Sequence, residues 1–219
     1  MGMKGEESID FNQLVDHDNV MEWFSRQFRA KPKFEYGKKW EENTIQFISQ
    51  WLPLQPGQRL LDYGCGTGPA FRIWNYFGLE AIGVEPCLTG VEVSKRNKFG
   101  VRVVQNDGKT IPFEDGYFDI VANIEVLHHI SNDLLYILEK EFWRVLSNGG
   151  YLFAVEDILY GQNRQRFRTR WDMVIPEVFR PAAFYTRLFH RFHQVAVQPV
   201  TPQSYYFLFQ KPANENPIC

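Results

Sequence analysis

The chain has 219 residues, 44% of them hydrophobic and 23% charged, with a formal net charge of −2. This is ordinary globular composition for one α/β domain, and it gives no overall electrostatic footprint for a nucleic-acid partner. Cys65, Cys87 and Cys219 are odd in number and lack CxxC or zinc-ligand spacing, so neither a disulfide framework nor a metal site is expected.

No apolar run reaches the ~18 residues of a membrane span, and the N-terminus lacks the basic-then-apolar order of a signal peptide. Glu6 stands where a myristoylation signal needs Ser or Thr. A soluble, cytoplasmic protein is expected.

From Phe11 to about Leu52 apolar residues recur at helical spacing, with a break at Pro32, which predicts two helices ahead of the core. After Pro53 and Pro56-Gly57 strand-like and helix-like segments alternate. Strands are expected near 58–63, 80–84, 101–105, 118–123 and 150–156, with helices near 68–77, 88–99 and 132–146 between them. Gly78 and Gly100 are read as helix caps, Ser131 or Asn132 as the start of the third helix, and Asn148-Gly149-Gly150 as the turn into the fifth strand. Beyond Asp157 the reading is a helical, arginine-rich stretch broken by Pro176 and Pro181, then strands at 194–199 and 204–210. The organisation is one domain: 1–57 a helical lid, 58–157 a core, and 158–219 an acceptor-side helix and terminal strands. By periodicity alone the fold is a doubly wound α/β sheet.

The run Asp62-Tyr63-Gly64-Cys65-Gly66-Thr67-Gly68 follows the first strand. Glycines at alternate positions let the backbone approach a ligand. A dinucleotide fingerprint, Gly-x-Gly-x-x-Gly, fails on both registers, because Pro69 or Phe71 falls at the third glycine. The surviving pattern, acidic-x-Gly-x-Gly-x-Gly, resembles the first motif of the class I S-adenosylmethionine (SAM) dependent methyltransferases, in particular their small-molecule members. SAM carries an ammonium and a sulfonium, for which a carboxylate such as Asp62 is useful.

The resemblance implies a seven-stranded, mostly parallel sheet whose last strand inserts antiparallel beside the fifth, and SAM as cofactor with S-adenosylhomocysteine (SAH) as product. It covers roughly residues 58–157. Cofactor contacts are then expected from Asp62, Gly64, Cys65, Gly66 and Gly68, and from Glu85-Pro86 at the end of the second strand. Glu85 is either a ribose ligand or a solvated turn residue. Asn106-Asp107-Gly108 follows the third strand, with Asp107 either contacting the adenine amine or simply building a turn. The fourth strand places Asn123 and Ile124 by the methionine moiety and leads into His128-His129, of which His129 aligns with the family's histidine. His129 is either a general base or a hydrogen-bonded residue that shapes the site. Tyr36 and Trp40 are expected to reach SAM or acceptor from the lid.

No Asp/Asn-Pro-Pro-Tyr/Phe follows the fourth strand, which argues against methylation of DNA-base amino groups, and Cys87 follows the wrong strand for a cytosine nucleophile. A small organic acceptor is expected, with no nucleic acid and no metal. Residues 158–193 hold seven arginines against two acids, interleaved with aromatics, and read either as an acceptor wall for an aromatic or anionic compound or as a solvated basic face. Two other functions remain open at this point, a nicotinamide-dependent oxidoreductase or epimerase and a non-catalytic SAM-binding subunit.

Overall fold

A computed structural model describes residues 17–97, 99–100, 102–158, 168–170, 173–175 and 178–214. Helices α1 (His17–Ala30) and α2 (Lys38–Trp51) precede β1 (Arg59–Tyr63), α3 (Phe71–Tyr76), β2 (Glu80–Glu85), α4 (Leu88–Arg96), β3 (Arg102–Gln105) and β4 (Phe118–Ile124). A 3-10 turn over Leu127–His129 then leads to α5 (Asn132–Val145), β5 (Leu146–Asp157), β6 (Arg168–Arg170), β7 (Met173–Ile175), α6 (Ala182–Leu188), β8 (His193–Thr201) and β9 (Ser204–Gln210).

Seven strands form one sheet in the order β3-β2-β1-β4-β5-β9-β8. β1 through β5 pair in parallel, and β9 runs antiparallel between β5 and β8. This is the topology that the family resemblance implies. Strand burial is nearly continuous, as a sheet covered on both faces requires. One face packs Leu61, Val121 and Phe207 against Leu138 and Phe142 of α5 and Tyr185 of α6. The other packs Leu60, Ile120 and Phe153 against Phe47 and Ile48 of α2 and Trp74 of α3.

The two N-terminal helices have different jobs. α2 is part of the sheet's covering layer, not of a lid: Phe47 stacks on Tyr206 at 4.5 Å between ring centroids, and the Thr44 and Tyr206 hydroxyls lie 3.0 Å apart. Only α1 leaves the sheet and crosses its carboxyl edge, where Ser25 and Thr89 hydroxyls meet at 2.7 Å.

Ser131, not Asn132, caps α5, accepting from the Leu134 amide. Gly78, at φ 67°, caps α3, whereas Gly100 lies in the loop beyond α4, which ends at Arg96. β5 begins at Leu146, earlier than the sequence indicates, and its register against β4 shifts between Phe118 and Ile120. Gly149 (φ 80°) lies within that irregular start. In the helical stretch expected beyond Asp157 the described residues form the antiparallel pair β6 and β7 first, and a helix, α6, stands only after Pro181. Arg168 and Arg170, two positions apart, stand at a strand period. Arg164 and Arg166 themselves lie outside the described residues.

β2 and the glycine loop are packed to contact. A Cβ on Gly83 would stand 2.5 Å from Cys65 Sγ and 3.2 Å from Val103 Cγ2. Gly83→Ala is expected to destabilise the protein by about 1–3 kcal/mol through overpacking. Urea unfolding checks this, and Cys65→Ala in the same chain should recover part of the loss; a Gly83→Ala midpoint equal to wild type contradicts the packing described.

Candidate active site

β1 and β4 are neighbours in the sheet although three helical crossovers lie elsewhere, so the strand order reverses between them and a crevice opens at their carboxyl ends. There the chain encloses a cavity of about 710 Å3, within the ~300–1,000 Å3 of small-ligand sites. Its floor on one side is the loop Gly64–Thr67 with Glu85 and Pro86 at the end of β2 and Gly108 after β3. Its other side is Ile124 and Glu125 at the end of β4, His128, His129 and Asp157. α1 closes the top with Trp23, Phe24 and Phe28, and Tyr36 enters from the connection to α2.

Gly64, Gly66 and Gly68 all adopt left-handed φ values, 71°, 55° and 87°. Space forbids side chains too: a Cβ on Gly64 would lie 2.7 Å from Val126 Cγ2, and one on Gly66 3.3 Å from the Phe28 ring. This cradle fits a ligand that must lie against bare backbone, as SAM does in the sequence reading. Cys65 is buried between the loop and β2, and Gly68 turns the loop into α3 by donating to the Cys65 carbonyl.

Glu85 is buried, and its carboxylate accepts from the Gly66 and Cys87 amides, each at 2.8 Å. It is therefore neither a solvated turn residue nor a ligand group alone, since it ties β2 to the glycine loop. Asp62 is buried at the end of β1 and accepts from Trp74 Nε1 at 2.9 Å. Burial pushes both carboxyls up to about 7; the Trp74 hydrogen bond counters this at Asp62, where Glu85's charge adds to it, and the two amides counter it at Glu85.

Asp107 is exposed and does not line the cavity. Its carboxylate accepts from the Lys109 and Thr110 amides, which builds the turn presenting Gly108 and holds its own pKa below the usual range. Asn106 braces the same turn by donating to the Thr110 carbonyl. Asn123 is fully buried and does not line the cavity, whereas Ile124, on the other face of the strand, does. Trp40 stacks behind Tyr36 at 4.0 Å without lining the cavity. Enclosure and the Glu125 and Asp62 carboxylates push the Tyr36 phenol well above its ordinary range.

The two histidines divide their work. His129, the one singled out by sequence, packs edge-on against Phe24 at 5.0 Å and near Trp23, so it seats the lid. His128 is held at Nδ1 by Glu156, 2.8 Å away. Glu156, fully buried at the end of β5, also accepts from the Val126, Leu127 and His128 amides. Nothing in the local sequence announces this residue, because its partners lie 28 to 30 positions away.

Among the arginines whose side chains are described, none lines the cavity. Arg180 is buried and donates to Asn132 Oδ1 and to the Leu127 and Ile130 carbonyls, which locks the 3-10 turn to α5. Arg191 lies over the Trp143 ring at 4.0 Å. Among the described residues there is no His/Cys/Asp/Glu group that could hold a metal ion, and no helix is long and apolar enough to cross a membrane.

The buried acids set a pH dependence of the ligand-free protein. From pH 8 down to about 5 the folded chain takes up protons at Asp62 and Glu85 that the unfolded chain, titrating near 4, does not. These two groups therefore favour the folded state increasingly as pH falls across that window. Asp62→Asn, which keeps an acceptor for Trp74, should flatten the slope of urea stability between pH 6 and 8, while Glu85→Ala, leaving two buried amides unpaired, should lower stability by about 1–3 kcal/mol at either pH. A slope unchanged by Asp62→Asn rules out this titration.

The comparisons agree with the geometry. Residues 61–154 match the family described as "Methyltransferase domain". The chain is 34% identical over 135 residues to "Probable tRNA methyltransferase 9B" of Mus musculus, covering 59% of this chain and 28% of that protein. It is 36% identical over 136 residues to "27-O-demethylrifamycin SV methyltransferase" of Amycolatopsis mediterranei, covering 54% and 46%. The chain thus spans less than half the length of either relative. A solved structure of a SAM-dependent methyltransferase from Aquifex aeolicus superposes with a TM-score of 0.63 over 94% of this chain and 99% of that one, at 15% identity, a likeness of fold. The sheet order and the three left-handed glycines agree with these matches: the core has the class I methyltransferase fold, and residues 61–154 within it match the methyltransferase domain family.

Proposed function

We propose that this protein transfers the methyl group of SAM to a small organic acceptor held under α1. The observation that carries this reading is one continuous cavity whose one half is the glycine loop with Glu85 and whose other half lies under the lid at the ends of β4 and β5. In this reading Gly64 and Gly66 give the cofactor its close approach and Glu85 meets the ribose hydroxyls beside its two amide partners, while Gly68 and Asp62, which lie behind the lining, shape the loop and add negative charge beneath it. Pro86 and Gly108 flank the adenosine, with Asn106 and Asp107 shaping the turn behind it. When bound, SAM supplies a methyl group on a sulfonium that is already an activated leaving group. What remains for the chain is to orient the acceptor, exclude water and accept a proton where one is released.

His128 is the residue we assign to that proton. In this reading the Glu156 carboxylate, 2.8 Å from Nδ1, takes the hydrogen bond of the neutral ring and orients an imidazole that lines the cavity. His129, in contact with the lid aromatics, is a positioning residue. With any acceptor that is turned over, His128→Gln is expected to lower kcat by about 10²–10⁴ and to remove the acid limb of the pH–rate profile, while His129→Gln acts mainly on acceptor KM. Equal effects of the two replacements on kcat would remove the assignment.

Calorimetry is expected to show heat for SAM and SAH and none for NAD; a folded protein silent toward SAM at high micromolar concentration overturns the reading. Relatives in this family include proteins named as tRNA, sterol and antibiotic methyltransferases. Radiolabelled methyl transfer offered in parallel to a small-molecule extract and to total tRNA decides between acceptor classes. The lidded cavity favours label in the small-molecule fraction, and label in tRNA alone contradicts it.

A further inference from the structure

The turn that carries His128 and His129 is held by charge at both ends. Its amides at Val126, Leu127 and His128 donate to the Glu156 carboxylate. Its carbonyls meet the chain where it returns from β7 to α6. There the Arg180 guanidinium donates to the Leu127 carbonyl at 3.0 Å and to the Ile130 carbonyl at 2.6 Å, and the Val178 amide donates to the His128 carbonyl between them at 2.8 Å. Arg180 Nε is fixed in turn by Asn132 Oδ1 at 2.9 Å. A backbone bridge between Ile158 and Arg180 sets this return beside the chain just past Glu156. A carboxylate at the amide end and a guanidinium at the carbonyl end are the signs that the dipole of a helical turn favours.

Packing alone does not call for an arginine here. Arg180 is buried, and a guanidinium taken out of water is costly unless its donors are met; burial accordingly pulls its pKa below the usual range. An apolar side chain would fill similar volume without that cost. What the planar fork supplies is a bond to two carbonyls three residues apart, Leu127 and Ile130, from one rigid group. The preceding residue completes the grip: the Phe179 ring lies along the His128 ring, at 5.9 Å between centroids and 21° between planes. Val178, Phe179 and Arg180 thus hold His128 at its carbonyl, at its ring and at the carbonyls to either side, while Glu156 holds Nδ1.

We propose that Arg180 is a positioning residue of the site: by gripping the Leu127 and Ile130 carbonyls it fixes the direction in which the His128 ring meets the cavity. This rests on the reading of His128 as the group that takes the acceptor's proton. Arg180 does not line the cavity and acts through the turn alone.

The test reads the His128 ring directly, by nuclear magnetic resonance of the full chain carrying isotope-labelled histidine, with the His128 ring-nitrogen signals assigned by their loss in His128→Gln. Arg180→Lys keeps the charge but offers one compact ammonium in place of the fork. It is expected to shift the His128 signals while SAH affinity, measured by calorimetry, stays within about twofold of wild type. Arg144→Lys, which removes the same kind of carbonyl contact at the sheet's far side, is expected to leave those signals in place. Should thermal unfolding show that Arg180→Lys is not folded, Asn132→Ala takes its place; it removes the acceptor of Arg180 Nε and should move the same signals by a smaller amount. With an acceptor turned over, Arg180→Lys is expected to lower kcat by about tenfold or more and to cost nothing further in a His128→Gln chain, because both losses pass through one ring. The proposal is overturned if the folded Arg180→Lys chain, or Asn132→Ala in its place, keeps the wild-type His128 signals, if Arg144→Lys moves them as much, or if the kcat losses of Arg180→Lys and His128→Gln add. An Arg180→Lys chain that loses SAH affinity assigns Arg180 to the support of the cofactor side and also overturns it. Failure of SAH to bind the wild type overturns the methyltransferase reading, a result distinct from SAH binding to a chain whose His128 signals do not respond to Arg180.

Discussion

The Glu156 carboxylate, fully buried at the end of β5, is the contact on which the rest of the site depends. It gathers three consecutive amides and the His128 ring, and so folds the segment after β4 into a 3-10 turn over the strand ends. That turn sets Val126 against Gly64, which is why the glycine loop has no room for a side chain there. It also sets His129 under Trp23 and Phe24, which is where the lid rests. A hydrogen bond to an ionised group contributes about 1.5–3 kcal/mol, and removing such an acceptor strands each of its buried donors. One side chain thus fixes the cavity wall that runs from the glycine loop to α1.

Glu85 does the same on the other side of the crevice. It ends β2, and its two oxygens reach the Gly66 and Cys87 amides, so the loop after β1 and the start of α4 are held to one carboxylate. In both places an acid at the carboxyl end of a parallel strand meets amides that the strand's own ladder leaves unpaired. Arg144 supplies the opposite charge with the same logic at the sheet's far side, donating to the Ile111 and Phe113 carbonyls and so fastening the connection between β3 and β4 to α5.

Much of this was legible in the chain. Alternating apolar runs and turn residues locate the strands and crossovers of the core, and the glycine spacing alone separates this loop from a dinucleotide loop. What could not be read were roles set by distant partners. Glu156 lies some thirty positions from the amides it binds, and Gly83 matters because of Cys65, which local periodicity cannot show. Asp107 fits both a turn and a ligand contact by composition, and its carboxylate is spent on the turn. The segment after Asp157 misled because its aromatics suggested a helix while its arginines alternate at the strand period. Arg180, counted with a basic surface, is instead buried in carbonyl oxygens that no pattern in its own neighbourhood announces.

Phe28 occupies the notch left by two glycines at once. A Cβ on Gly90 would lie 2.8 Å from its ring and one on Gly66 3.3 Å, while Cys87 Sγ and Thr89 hold the same helix at Met21 and Ser25. The ring therefore bridges the glycine loop and the helix that follows Glu85. Any movement of α1 away from the sheet edge uncovers the glycine loop and the start of α4 together, because a single ring fills the notch of both.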